Sequence, residues 1–106
     1  MRKIDKYERQ IAEKLALARG NRKGISPFLR LNIPLYIQRG DLKNAKRDLL
    51  DERADIDLDN PFCYFIQAMA YRREGRTNEA KLFYSLAAEY DSVYKKEILN
   101  LMDMLD

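Results

Sequence analysis

One pattern of tyrosine, glycine and small or apolar residues occurs twice in this 106-residue chain, at an offset of 35 residues. The two copies are Tyr36, Gly40, Leu42, Ala45, Leu49 and Tyr71, Gly75, Thr77, Ala80, Tyr84. Self-similarity with a period of about 20–50 residues is typical of stacked supersecondary units. The repeat therefore constrains the fold more than any single motif does.

Each copy predicts a helix, a tight turn and a second helix. Gly40 and Gly75 follow the last apolar residues of a helical run, where a left-handed C-cap favours glycine. Ala45 and Ala80 predict a close crossing of two helices, because a larger side chain would push the backbones apart. The chain is thus predicted to contain two helical hairpins.

The segments before and after the two hairpins are also predicted to be helices, because their apolar residues recur at helical spacing. A glycine follows the first of these helices, and Asp91 precedes the last. Pro27 and Pro61 each follow an N-cap residue and predict helix starts. No stretch alternates apolar and polar residues as a strand would. We therefore predict an all-α fold of about six helices, over residues 3–19, 26–39, 41–54, 61–74, 77–90 and 92–105.

The segment 61–92 resembles a tetratricopeptide repeat (TPR). The residues that match the family pattern are Tyr64, Ala68, Tyr71, Gly75, Ala80, Tyr84 and Ala87, whereas Gln67, Thr77 and Ser92 depart from it. Residues 26–60 resemble a degenerate copy with Pro34 inside its first helix. The resemblance implies a right-handed stack of antiparallel helical hairpins, a TPR-like α-solenoid.

The whole chain, residues 1–106, is expected to form a single TPR-like domain. Around the two repeats, residues 1–25 would supply an N-terminal helix and a basic loop, and residues 93–106 a C-terminal capping helix.

The resemblance also implies where a partner binds, because the first helix of each TPR hairpin lines a concave groove. The corresponding positions are Arg30, Pro34, Ile37, Phe62, Phe65, Met69, Arg72 and Arg73. TPR proteins that grip chaperone C-termini carry a lysine and asparagine clamp there, and Pro34, Phe65 and Met69 replace it. An apolar, helical partner segment is therefore expected. The alternative, that Phe62, Phe65 and Met69 are core beneath a neighbouring helix, stays open.

A second apolar surface is predicted at the C-terminus. Val93, Leu99 and Met104 lie away from the main apolar stripe of the last predicted helix. A helix that is apolar on two faces is either buried between neighbours or covered by a partner. We therefore expect a C-terminal contact surface, with self-association into a homo-oligomer or dependence on a partner chain.

The residue types present argue against an enzyme, a cofactor or a metal site. The chain has no histidine, and its only cysteine, Cys63, lies in an apolar stretch that disfavours a reactive thiolate. Residues 55–60 place oxygens at alternating positions, as an EF-hand loop does, but Asn60 and Ile66 stand where Gly and Glu are needed. We predict no catalytic residue, no cofactor and no metal ligand.

The net charge of +3 is unevenly distributed. Residues 1–31 carry nine Lys/Arg and three acids, and residues 32–106 carry eleven Lys/Arg and fourteen acids. Solvated helix faces account for this split, and the alternative is a nucleic-acid-binding helical repeat that uses the basic N-terminal third. No segment is apolar enough to span a bilayer and no signal-peptide core is present, so a cytoplasmic location is expected.

We interpret the sequence as a non-catalytic TPR-like scaffold that binds an apolar, helical segment of a partner protein, as an adaptor or chaperone does. A narrower alternative rests on residues 11–21 and 38–45. These segments resemble parts of the small helical-hairpin chaperones of type III secretion systems, which keep the needle subunit soluble before export.

Overall fold

A computed structural model of the chain describes residues 2–18, 28–49 and 61–105. Within these ranges all regular structure is helical and no strand occurs. The helices are α1 (Lys3–Ala18), α2 (Phe28–Gln38), α3 (Leu42–Leu49), α4 (Pro61–Arg73), α5 (Thr77–Tyr90) and α6 (Lys95–Asp103). For the described residues, the prediction of an all-α fold with six helices is confirmed.

The turns of the two hairpins have the same backbone geometry. Gly40 and Gly75 both adopt left-handed conformations, with φ of 81° and 79°. The Gly40 N–H donates to the Ile37 carbonyl at 2.9 Å, and the Asp41 N–H donates to the Tyr36 carbonyl at 2.8 Å. These are the two hydrogen bonds of a Schellman motif, and the same pair recurs 35 residues later. The sequence repeat is therefore also a repeat of local structure.

Replacing Gly75 with alanine is expected to destabilise the fold by about 1–2 kcal/mol, the cost of a left-handed conformation for a residue with a Cβ. A Cβ at Gly75 would meet no atom within 4 Å, so the cost comes from the backbone alone. Urea unfolding measures the change. Gly75→Asn is the matched control, because asparagine tolerates this conformation better. Equal losses for the two variants would contradict the assignment of the cost to backbone strain.

α6 begins at Lys95, three residues later than the predicted start at 92. The reason is the Asp91 carboxylate, whose Oδ1 accepts hydrogen bonds from the backbone N–H groups of Val93 and Tyr94, both at 2.9 Å. These bonds hold residues 92–94 in a bend. The predicted extension of α3 to residue 54 lies outside the described residues, as do residues 26–27 of the predicted second helix.

The helices pack around one apolar core. α4 packs along α5, α2 packs along α3, and α5 also contacts α6. Ala45 and Ala80 are buried, as the repeat predicts for positions where two helices cross. α1 contacts α2, the next helix in the chain, and also α4 and α6, which are distant in sequence. We call the surface beneath α1, which these three helices form together with Tyr84 of α5, the α1-binding face.

Candidate functional site

α1 is an amphipathic helix whose apolar side packs against the α1-binding face. Its buried apolar residues are Ile4, Ile11, Ala12, Leu15 and Ala16. Their spacing of three, four and seven residues places them on one side of the helix. Leu17, on another side, is 54% exposed. The helix predicted from apolar spacing in the N-terminal flank is confirmed, and its buried apolar residues lie on one side.

A carboxylate interrupts this apolar stripe. Glu8 lies four residues after Ile4 and three before Ile11, and its exposure is only 1%. The Arg72 guanidinium of α4 binds it in a bidentate manner, with Nε donating to Oε2 at 2.8 Å and Nη2 donating to Oε1 at 3.0 Å. Arg72 Nη2 also donates to the carboxylate of Asp5, one turn earlier in α1. A charge-assisted fork of this kind fixes both the position and the register of α1 on α4.

Two further donors converge on the same region of α1. The Tyr84 hydroxyl of α5 donates to Glu8 Oε2. Gln38, the last residue of α2, donates from Nε2 to the Asp5 carbonyl at 2.6 Å and to Glu8 Oε1 at 3.4 Å. The Gln38 Oε1 atom is buried and has no hydrogen-bond partner among the described residues. Three helices therefore direct donors at one carboxylate of α1.

The charges in this network shift the ionisation of its members. Burial alone would lower the pKa of Arg72, but its hydrogen bonds to Glu8 and Asp5 and the charge of Glu8 outweigh burial, and the net shift is upward. Burial, reinforced by the charge of Glu8 and the hydrogen bond to it, raises the pKa of Tyr84 well above its ordinary value of 10.0. At neutral pH the network thus holds a charged arginine and a neutral tyrosine hydroxyl.

Tyr84 is expected to stay protonated at alkaline pH until the chain unfolds. The raised folded-state pKa means that its stabilising effect is complete below the unfolded-state pKa of about 10 and is lost as pH rises above it. Alkaline titration followed by ultraviolet absorbance should therefore show one of the seven tyrosines ionising together with unfolding. In Tyr84→Phe this late step should disappear. Gradual ionisation of all seven tyrosines in the folded protein would contradict the expectation.

At its other side α1 contacts α6. The Tyr7 hydroxyl donates to the Glu97 carbonyl at 3.3 Å, and the Lys14 ammonium lies 5.9 Å from the centre of the Tyr94 ring. Both contacts are partly exposed and of a weak type. The polar centre of the α1 contact is therefore at α2, α4 and α5.

The structure places most of the predicted groove residues inside the fold. Pro34, Ile37, Phe62, Phe65 and Met69 are all buried. Phe62, Phe65 and Met69 are thus part of the core, as in the alternative that the sequence left open. A partner would therefore reach these side chains only after a neighbouring element had moved.

The basic residues of the predicted groove have other positions. Arg72 is the centre of the Glu8 network. Arg73 is exposed and donates to the carbonyls of Ile37 and Gln38 at the C-terminal end of α2. The side chain of Arg30 lies outside the described residues. Of the two arginines whose side chains are described, Arg72 is the one that contacts α1.

The predicted C-terminal contact residues are exposed, Val93 by 73%, Leu99 by 42% and Met104 by 40%. Met104 lines a cleft between α1 and α6 together with Lys3, Lys6, Tyr7, Gln10 and Asn100. The other two residues do not line that cleft. The structure therefore describes three exposed apolar side chains here, and their role as a contact surface stays a prediction.

A second cleft, of about 390 Å³, lies between α2, α3 and α4. Its apolar lining is Ile37, Leu42, Ala45, Ile66 and Ala70, and its polar lining is Lys43, Lys46, Gln67 and Glu74. This cleft is another place where an apolar side chain of a partner could bind, and it provides a control for experiments on the α1-binding face.

Sequence reasoning missed Glu8, Gln38 and Tyr84 as members of one polar site. A signal for Glu8 was present, because this carboxylate occupies a place on the apolar stripe of α1 where a core residue is expected. Residues 55–60, which resemble an EF-hand loop, and residues 19–25 of the predicted N-terminal helix and basic loop lie outside the described residues. Within the described ranges, no helix is long and apolar enough to cross a bilayer.

Comparisons with family models, with curated proteins and with solved structures found no match to this chain.

Proposed function

We propose that this chain is a non-catalytic, TPR-like scaffold that binds an apolar, helical segment of a partner protein, as an adaptor or a chaperone does. The observation that carries the proposal is the position of α1. An amphipathic helix already lies across α2, α4 and α6, so this face has the shape and the apolar residues to hold a helix.

The arrangement of the hairpins supports the proposal. α2–α3 and α4–α5 are joined by equivalent turns, and α2 packs against α4. In a TPR-like stack α2 and α4 would be the first helices of successive hairpins, which form the concave side. Arg72 and Gln38 belong to these two helices, and both contact α1. α1 thus contacts the two helices that the TPR resemblance would assign to the concave side, which supports the proposal.

Helix-in-groove recognition depends on apolar residues at i, i+3, i+4 and i+7 that enter a hydrophobic groove. α1 follows this rule with Ile4, Ile11 and Leu15, each exposed by 8% or less. A partner helix with the same spacing would bury comparable apolar area. A few desolvated apolar residues usually dominate the binding energy of such an interface. We therefore expect the scaffold to recognise the partner helix chiefly through the apolar face of that helix.

Selection of displayed peptides on the full chain tests the proposed function. We expect enrichment of sequences with apolar residues at helical spacing, and binding that changes little with salt. Lys46→Glu, at the rim of the second cleft, should leave the selected peptides bound, because that cleft is not the expected site. Met69→Ala, at a predicted groove position that does not line the second cleft, should weaken their binding, with folding checked by circular dichroism.

Three results would contradict the proposal. Selected peptides without helical periodicity would exclude helix-in-groove binding. Loss of binding in Lys46→Glu would move the site to the second cleft. Capture of oligonucleotides with a steep salt dependence would favour the nucleic-acid-binding alternative instead.

A further inference from the structure

The contact between α1 and the rest of the chain is not uniformly apolar. Glu8, at 1% exposure, lies in the middle of the apolar stripe, and the side chains of Asp5 and Arg72 beside it are only 16% and 14% exposed. Most of the charge at this contact is therefore removed from water. A helix that served only as a permanent part of the core would bind more simply through apolar residues.

A buried ion pair contributes little net stability, because the cost of desolvating two charges offsets much of their attraction. What such a pair provides is register, since any shift of α1 along α4 would separate Glu8 from Arg72. Gln38 Oε1, which has no hydrogen-bond partner in the described part of the chain, adds a further cost at the same place. The polar part of this contact thus fixes the position of α1 but contributes little net free energy of stabilisation.

We propose that α1 is a displaceable ligand of its own fold, and that the partner is an amphipathic helix with a carboxylate at the place of Glu8. The partner helix would carry apolar residues four positions before this carboxylate and three and seven positions after it, as Ile4, Ile11 and Leu15 do in α1. This inference rests on the proposed function and specifies the chemistry of the partner.

The need for a carboxylate follows from what α1 would leave behind. Without Glu8, the Arg72 fork, the Tyr84 hydroxyl and the Gln38 amide would face the groove as donors without their acceptor. An apolar side chain there would bury these donors unpaired, which is costly and costliest for the charged arginine. A site built to hydrogen-bond one group rejects analogues that lack it. The α1-binding face therefore selects acidic amphipathic helices over purely apolar ones.

Because α1 is part of the same chain, it competes with any partner at a high effective concentration. The apparent affinity for the partner is reduced by the fraction of molecules whose face is open. Weakening the contact of α1 should consequently strengthen partner binding. This relation separates a displaceable ligand from a permanent core element, whose weakening would only destabilise the fold.

The probe is a labelled, end-capped peptide with the sequence of residues 2–18, compared with two versions that carry Glu8→Gln or Glu8→Leu. Each is titrated against the full chain by fluorescence anisotropy, using the wild type, Glu8→Gln and Glu8→Gln/Arg72→Gln. Glu13→Gln is the matched control, because Glu13 is 45% exposed and pairs only loosely with Arg9, at 3.9 Å. Circular dichroism and thermal melting establish that each chain is folded.

We expect the unaltered peptide to bind the Glu8→Gln chain at least about tenfold more tightly than the wild type or Glu13→Gln. On the Glu8→Gln chain, the Glu8→Leu peptide should bind at least about tenfold more weakly than the unaltered one. This preference should vanish in Glu8→Gln/Arg72→Gln. If the double variant does not fold, Glu8→Gln/Tyr84→Phe replaces it, and the preference should then be reduced.

Equal binding to the wild-type and Glu8→Gln chains would overturn the displacement of α1. Tighter binding of the Glu8→Leu peptide would overturn the requirement for a carboxylate and would leave the apolar-helix scaffold standing. If no peptide bound any folded chain, α1 would be a permanent core element, and the proposal that it can be displaced would be overturned. The selection of displayed peptides would then decide the proposed function separately.

Discussion

Arg72→Gln is expected to lower the free energy of unfolding by about 3–5 kcal/mol, because it leaves the buried carboxylate of Glu8 without its charged partner. The side chains of Arg72 and Glu8 are 14% and 2% exposed, so water screens the lost pair only slightly. A small domain has about 5–15 kcal/mol of stability in total. The substitution should therefore bring the chain close to unfolding, as measured by urea denaturation followed by circular dichroism.

The double substitution Glu8→Gln/Arg72→Gln is the test of that cause. With both charges removed, the two amides can bond to each other and to Tyr84, and the loss should be less than half of that in Arg72→Gln. Arg76→Gln serves as the surface control, since Arg76 is 50% exposed and its ion pairs with Glu74 and Glu79 are screened by water. A double variant as unstable as Arg72→Gln would show that packing of the arginine stem, and not its charge, is what matters.

The sequence predicted the helices well where local chemistry decides the structure. Gly40 and Gly75 mark turns because only the backbone of glycine enters the left-handed region at little cost, and this signal needs no knowledge of the tertiary fold. Asp91 was also visible in the sequence, but periodicity alone placed the start of the last helix before the residues that Asp91 holds in a bend. Helix ends set by a side chain are the less predictable kind.

The position of α1 could not be predicted. Hydrophobic periodicity indicates which side of a helix is buried, but it does not indicate which other elements cover that side. Glu8 and Arg72 are separated by 64 residues, and such a contact has no local signature. A charged residue is also normally assigned to the surface, so Glu8 was not counted with the apolar stripe that contains it.

The same limit applies to the predicted groove. Repeat register placed Phe65, Met69 and Arg72 on one side of the second hairpin, and Arg72 contacts α1. Register could not show whether side chains at these positions are open to a partner or covered by other parts of the same chain. By contrast, Leu99 and Met104 were predicted to lack cover, and both are exposed, although nothing in the fold indicates what binds them.

Phe65→Ala is expected to destabilise the protein by about 3–5 kcal/mol, the usual range for removing a buried phenylalanine. The Phe65 side chain is fully buried, and its ring meets the Tyr84 ring edge-on with centroids 5.0 Å apart. The substitution leaves a cavity and removes an aromatic contact beside the residue that donates to Glu8. Urea unfolding measures the loss, and Phe65→Leu, which keeps most of the volume, should lose clearly less.

Leu99→Lys with Met104→Lys is the matched surface control, because both side chains are partly exposed and can extend a lysine ammonium into water. This double variant should unfold at nearly the same urea concentration as the wild type. The contrast matters for the binding experiments, since a loss of partner binding in Phe65→Ala would report unfolding unless the folded fraction were measured alongside it. If Phe65→Ala cost no more stability than the surface variant, Phe65 would be a groove residue open to a partner, and the α1-binding face would be looser in solution than its packing indicates.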